Sequence, residues 1–402
     1  MTLRFYLIVM LSFAGFSSAV DWPKWLGPSE NGKTSETLPE NANLKDVAWE
    51  AEVGIGFSSF SVAQGKVFTM GYQDGKETVW CFSEPDGKVL WKHSYPAELM
   101  PNLHEGGPNA TPTIDGDRVY AISKDGQLHC YTLSDGKILW KKNMLKEAGM
   151  YRAPEWGYGG SPYIHNDLVI VESCATFAYH KVTGEEVWRS EKYRPAYGSP
   201  QLFQSGEKSF LATLKTDGLV ILDPANGKTL GFHQWRTSFQ TNATTPLVVG
   251  DGQLFVSTGY DRGCALFKFD GDQLTKLYEE TTMSNHMGNS VLIDGFLYGF
   301  DGTAHRGRPV EFCCIAVADG AKQWSTKAFK YGSVIAAGNE LIVLTEQGEM
   351  LLGKASPQGF EPRTREPILE GRFWTPPVYA NGKIYARNAA GKVVVLGVGS
   401  GK

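Results

Sequence analysis

Residues 107–143 read GPNATPTIDGDRVYAISKDGQLHCYTLSDGKILWKKN, and their alternation decides the fold. Small residues at Asn109-Ala110-Thr111-Pro112 lead into a run ending at Val119-Tyr120-Ala121-Ile122. A Lys124-Asp125-Gly126 turn follows, then a third run from Leu128 to Leu133, and Ser134-Asp135-Gly136-Lys137 turns the chain into Ile138-Leu139-Trp140. Period-two alternation marks each run as a half-buried strand, and Asp-Gly marks a tight turn because glycine accepts positive φ. The stretch predicts four short strands. One such sheet cannot bury both of its faces, so it requires neighbours of its own kind.

The neighbours are there. Earlier in the chain, a unit from Phe57 to Lys92 turns at Asp86-Gly87-Lys88 and closes on Trp91. Later units enter at Gly159-Gly160-Ser161-Pro162 and close on Trp188, enter at Gly198-Ser199-Pro200 with Leu230 in place of Trp, and enter at Ala243-Thr244-Thr245-Pro246 with Tyr278 near the closing position. The sixth enters at Gly288-Asn289-Ser290 and closes on Trp324, the seventh (Tyr331 to Leu369) is the most degenerate, and the eighth enters at Trp374-Thr375-Pro376-Pro377 and stops after its third strand. An orphan strand around Trp49 (Asp46 to Val53) has the composition of the missing fourth. Units of this length and strand number are propeller blades, and exchange of the orphan strand leaves no open edge at the ring closure. The expectation is an all-β, eight-bladed β-propeller over 46–398, with seven blades if the degenerate unit is not a blade. Residues 20–45 read as an irregular segment anchored by Trp22 and Trp25, and 399–402 as a tail.

Lys plus Arg number 39 against 43 Asp plus Glu, without blocks of like charge, which removes nucleic acid and anionic lipid from the expected partners. Residues 1–19 carry Arg4, an apolar run from Phe5 to Phe16 and small residues Ser17-Ser18-Ala19, the pattern of a cleaved export signal. No Cys stands near that site for lipid attachment, and no other run is long enough to span a bilayer. A periplasmic or secreted monomer is expected. Disulfides are permitted there, but Cys81, Cys130 and Cys314 each fall five residues before an Asp-Gly turn, which reads as a buried third-strand position.

In a propeller, the loops entering the innermost strands and those joining second to third strands open around the central channel. Here they carry His104-Glu105, Arg152, Trp156, Tyr158, Arg194, Tyr197, Asn285-His286, Tyr331, Arg372 and Trp374, with Asp261-Arg262, His305 and Arg308 on the second-turn loops. Trp156, Tyr158, Tyr197 and Trp374 with Arg152 and Arg262 would suit a flat, anionic, aromatic ligand through stacking and bidentate contacts. The same residues would also serve simply to fill the channel mouth, with the charges solvated.

Asp86-Gly87-Lys88-Val89-Leu90-Trp91, Asp135-Gly136-Lys137-Ile138-Leu139-Trp140 and Thr183-Gly184-Glu185-Glu186-Val187-Trp188 resemble the pyrroloquinoline-quinone-like propeller repeat, in which the Trp packs between blades. The resemblance covers 47–398. The opening Asp21-Trp22-Pro23-Lys24-Trp25-Leu26-Gly27-Pro28 and the Phe373-Trp374-Thr375-Pro376-Pro377 entry are similar to a group of exported bacterial propellers that usually carry Arg where Leu26 stands. What the resemblance implies divides. Quinoprotein dehydrogenases hold the quinone with Ca²⁺ through a Glu and an Asn and use an Asp base, which puts Glu155 and Asn242 in the metal role and leaves His286 or Asp261 as substitute bases, Asn285-His286 standing where the Asp is wanted. Cys313-Cys314 would correspond to their vicinal disulfide, although neighbours in a strand point to opposite faces. The propeller subunit of the barrel-assembly machinery shares the repeat without the quinone, and implies an envelope protein partner and no cofactor. The reading that follows is a binding scaffold for a small molecule or a protein at the channel face, with a quinone- and calcium-dependent oxidoreductase as the alternative.

Overall fold

Tight turns fold each repeat into four antiparallel strands, and eight such blades, one of them extended by a short parallel strand at Lys33–Thr34, form the ring of an eight-bladed β-propeller. The computed structural model describes residues 19–102 and 104–399. The export signal expected over 1–19 falls, except for Ala19, outside the described residues, as does the tail beyond 399. Blade 2, the reference stretch, comprises Thr113–Asp115, Arg118–Ile122, Gln127–Thr132 and Ile138–Asn143, running outward from the channel. The degenerate seventh unit is a blade, with strands Gly332–Ala337, Glu340–Thr345, Glu349–Lys354 and Thr364–Pro367. The orphan strand, Val47–Glu52, is the outermost strand of blade 8, antiparallel to Lys392–Gly397 with Val47 opposite Leu396 and Glu52 opposite Lys392. Seven blades are therefore excluded, and both chain ends share one sheet.

The core lies between blades, as a series of apolar clusters around the ring. Its lock is the closing Trp. Trp91 of blade 1 donates Nε1–H to the Leu133 carbonyl of blade 2 (3.1 Å), and Trp49, Trp140 and Trp188 repeat this bond to Glu84, Lys181 and Pro224 (3.0, 3.1 and 3.1 Å). Each ring lies flat on the turn glycine of the next blade. A Cβ at Gly136 (φ 71°) would stand 2.5 Å from the Trp91 ring, so that glycine serves both the positive φ and the close approach. Between blades 4 and 5, where Leu230 replaces Trp, Phe203, Phe210 and Phe269 fill the gap, the last two edge to face at 4.9 Å.

Cys81, Cys130 and Cys314 pair in register with Trp91, Trp140 and Trp324, buried as the repeat predicts. All six cysteines are free thiols. Cys313 and Cys314 face different interblade clusters, because successive strand residues alternate. The vicinal disulfide implied by the dehydrogenase resemblance is thus not formed.

The segment before blade 1 is largely irregular and does use both tryptophans, but it does more than anchor itself. Trp22 bridges Val62 in the innermost strand of blade 1, and Pro23 accepts from Ile114 N of blade 2 (2.8 Å). Glu30 accepts from Tyr163 of blade 3 (2.6 Å) and Gln201 of blade 4 (2.9 Å), and Trp25 donates to Thr245 at blade 5 (3.1 Å). Gly32 lies against Val291 of blade 6, Lys33–Thr34 pairs in parallel with the inner strand of blade 7, and Glu36 accepts from Asn381 and Gly382 N of blade 8 (2.6 and 2.9 Å). The segment is a strap that touches every blade from inside.

Candidate functional site

The entry and second-turn loops surround a concave well that reaches down to the strap. Trp25 contributes to its lining from the strap, and the well encloses about 150 Å³. Its wall is a belt of rings from the entry and second-turn loops. His104 lies 5.3 Å from both Phe57 and Trp156, Phe57 stacks on Trp374 at 5.7 Å, and Trp374 faces His305 at 6.3 Å. His305 meets His286 at 5.3 Å, which meets Tyr260 edge to face at 5.1 Å, and Tyr197 completes the lining. Tyr260 holds φ at 61° and Asp261 at 56°, two consecutive left-handed residues whose cost is borne where the ring must face the channel.

Among its described lining residues the well has no Asp, Glu, Lys or Arg. His286 accepts the Ala304 N–H at Nδ1 (3.4 Å), so Nε2 carries the proton toward the Tyr260 hydroxyl (3.3 Å). Burial, followed by the neighbouring His305, pushes its imidazole down to about 3. Burial and then Lys124 and Arg372 push His104 down to about 4. At neutral pH both rings are uncharged.

The sequence-predicted residues divide between well and scaffold. Trp156, Tyr197, His286 and Trp374 line the well. Tyr158 is buried between blades 2 and 3, its hydroxyl 3.1 Å from Ser173. Asn242 is fully buried and donates Nδ2–H to the Lys215 and Trp235 carbonyls (2.8 and 3.0 Å), while Thr241 and Ala243 on either side line the well. Glu155 stands exposed with Asn102 (3.1 Å). Asp261 is exposed and accepts from Arg308 Nε (3.0 Å).

None of the arginines lines the well. Arg152 is exposed beside Tyr151, Arg262 pairs with Glu279 (2.7 Å) while stacking on Trp235 (3.6 Å), and Arg372 lies over Trp374 (4.7 Å), held by Glu105 (3.4 Å). Sequence reasoning missed Trp25, Phe57 and Tyr260 as lining residues. Tyr260 adjoins the Asp261-Arg262 pair already singled out, and Phe57 opens the blade 1 entry, so position in the repeat was the available signal for both.

Residues 75–326, more than half of the chain, match the family described as outer membrane protein assembly factor BamB. This chain belongs to that family of pyrroloquinoline-quinone-like repeat propellers. Among curated proteins it is similar to the tetrathionate hydrolase of Acidithiobacillus ferrooxidans, 25% identical over 235 residues. That match takes in 55% of this chain and 45% of the relative, so the chain spans about half of the relative's length. Among solved structures, BamB from Moraxella catarrhalis superposes with a TM-score of 0.59 at 19% identity, over 87% of this chain and 97% of that one. The quinohemoprotein alcohol dehydrogenase of Comamonas testosteroni gives 0.69 at 13%, over 95% and 81%. At these identities the structural likenesses establish the fold alone. Among the described residues, no helix is long and apolar enough to cross a membrane.

A quinone with calcium makes two demands that can be tested against these residues. Its carboxylates call for cations, and the cations here are engaged outside the well. Calcium calls for several converging oxygens. Asn242 donates its amide N–H groups to scaffold carbonyls and keeps Oδ1 buried without a hydrogen-bond partner, but Glu155 stands exposed with Asn102, and no group of three or more His, Cys, Asp or Glu among the described residues is placed to hold a metal. The residues present do not fit the pair.

Proposed function

We propose that this protein is an exported, non-catalytic binding scaffold of the cell envelope, and that the aromatic well at the channel mouth is its ligand site. One observation carries the reading: a concave, ring-walled well with no Asp, Glu, Lys or Arg among its described lining residues. Such a concave, preformed, mainly apolar site has the character of ligand pockets. It lacks what dehydrogenation would ask of it, since His286 has both nitrogens committed within the protein and Asp261 is held by Arg308 outside the lining. On this reading Trp156, Tyr197, Trp374 and His286 are binding residues, whereas Tyr158, Asn242 and Arg262 hold the loops. Membership in the BamB family also supports a scaffold role, with an envelope protein as a further partner.

Calorimetric titration of the folded protein with pyrroloquinoline quinone, with and without Ca²⁺, tests the reading. The expected result is no calcium-dependent binding. Saturable, calcium-dependent binding that Glu155→Ala or Asn242→Ala abolishes would establish the oxidoreductase instead.

A further inference from the structure

The chemistry of the well specifies what it holds. Several of its polar atoms are engaged within the protein. Asn109 donates to the Trp156 carbonyl (2.9 Å), Ser199 Oγ accepts from Ser161 N (2.9 Å), and Thr245 Oγ1 accepts from Trp25 (3.1 Å). A ligand seated there therefore finds ring faces and few hydrogen-bonding atoms.

Two of the three lining indole N–H groups, which an anion would seek, are already bonded within the protein. That of Trp25 goes to Thr245, and that of Trp374 goes to the Glu346 carboxylate (2.8 Å). The Glu346 contact also adds electron density to the Trp374 ring, which strengthens its negative face. A cation already uses that ring: Arg372 lies 4.7 Å from its centroid, its charge offset by Glu105. Aromatic faces without a carboxylate attract a charge that is diffuse and weakly hydrated, because its desolvation is cheap and it needs no acceptors.

We infer that the ligand of this well carries a methylated ammonium group, seated among Phe57, Trp156, Tyr260 and Trp374. The inference rests on the well being the ligand site and adds the class of ligand. A free ammonium is a poorer match, since its three N–H donors would meet few acceptors and no carboxylate. A carboxylate or phosphate would meet no Lys or Arg among the described lining residues.

The test titrates the folded protein with choline and with 3,3-dimethylbutan-1-ol, its neutral isostere, by calorimetry and tryptophan fluorescence. Wild type is compared with Trp156→Leu and Phe57→Leu, each checked for fold by circular dichroism. Choline is expected to bind at least about tenfold tighter than the isostere, and each substitution to weaken it by about tenfold or more. Equal affinity for the two compounds would overturn the ammonium inference while leaving an apolar ligand well. Choline binding untouched by either substitution would place the site elsewhere and overturn the well itself. Absence of binding by choline, with the isostere bound or not, would also overturn the inference.

Discussion

Glu77 offers the sharpest test of the packing between blades 1 and 2. It lies wholly buried, and its carboxylate accepts only long bonds, from Lys124 N (3.2 and 3.3 Å) and from the Tyr95 hydroxyl (3.3 Å). Lys124 has its own Nζ buried without a hydrogen-bond partner. Burial outweighs these contacts and pushes Glu77 up from 4.5 to about 7. The folded state therefore holds its proton more tightly than the unfolded chain. The stability this gives is fully present below about pH 4.5 and lost as pH rises through about 7. The difference of some 2.5 pH units corresponds to about 3 kcal/mol lost by pH 8. Glu77→Gln keeps the shape and removes the titration. Urea unfolding monitored by tryptophan fluorescence from pH 4.5 to 8 should show the variant gaining on wild type by up to about 3 kcal/mol across that range. Titrations of groups not coupled to Glu77 are common to both proteins and cancel, whereas Lys124, pushed down to about 8 by burial and held up by Glu77, differs between them at the top of the range. A constant difference between them at every pH would refute the argument.

Other outcomes follow from the same coordinates. Trp91→Ala should cost about 3 to 5 kcal/mol in the same unfolding assay, from lost burial and the cavity left on Gly136. Trp91→Phe should cost less, retaining most of the packing but losing the bond to Leu133. Glu36→Ala strips acceptors from the backbone N–H groups of Val20, Asn381 and Gly382, and should cost roughly 2 to 4 kcal/mol, with a lower Tm by calorimetry. In a thiol titration of the native protein at pH 8, at most Cys174 should react, since the other five are buried and burial pushes Cys81 up to about 12 and Cys130, Cys264 and Cys314 up to about 11. All six should react once the chain is unfolded; fast native reaction of several would contradict the interblade placement.

The fold was legible because its determinants are local. Alternation, Asp-Gly turns and the closing Trp each act within a few residues, and their recurrence leaves one architecture. The seventh blade was faint for a physical reason. Its inner strand Gly332–Ala337 is buried at every position, so alternation vanishes there, and its neighbour Glu340–Thr345 is nearly as enclosed. The site was legible only to the level of loops. Thr241 and Ala243 line the well and Asn242 between them turns into the blade; Trp156 lines it and Tyr158 does not. Adjacent residues in an irregular loop carry no periodicity that says which way each points, so a ligand pair chosen by residue type and order did not have to converge.

The strap was hidden for a different reason, and it ties the well to the ring. Residues 22–36 have no repeat and almost no regular structure, since their hydrogen bonds go to seven different blades and Gly32 packs on the eighth. Those bonds exist only when the blades stand in a circle. The strap is fixed at blade 1 through Trp22 and at blade 8 through Glu36, and the chain then continues into Val47–Glu52, which closes blade 8 from outside. One N-terminal stretch thus joins first and last blades on the inner and outer edges together. Trp25, held to Thr245, contributes to the well from the middle of that strap. That wall is in place only once the strap spans the closed ring, so closing the ring and completing the well are one event.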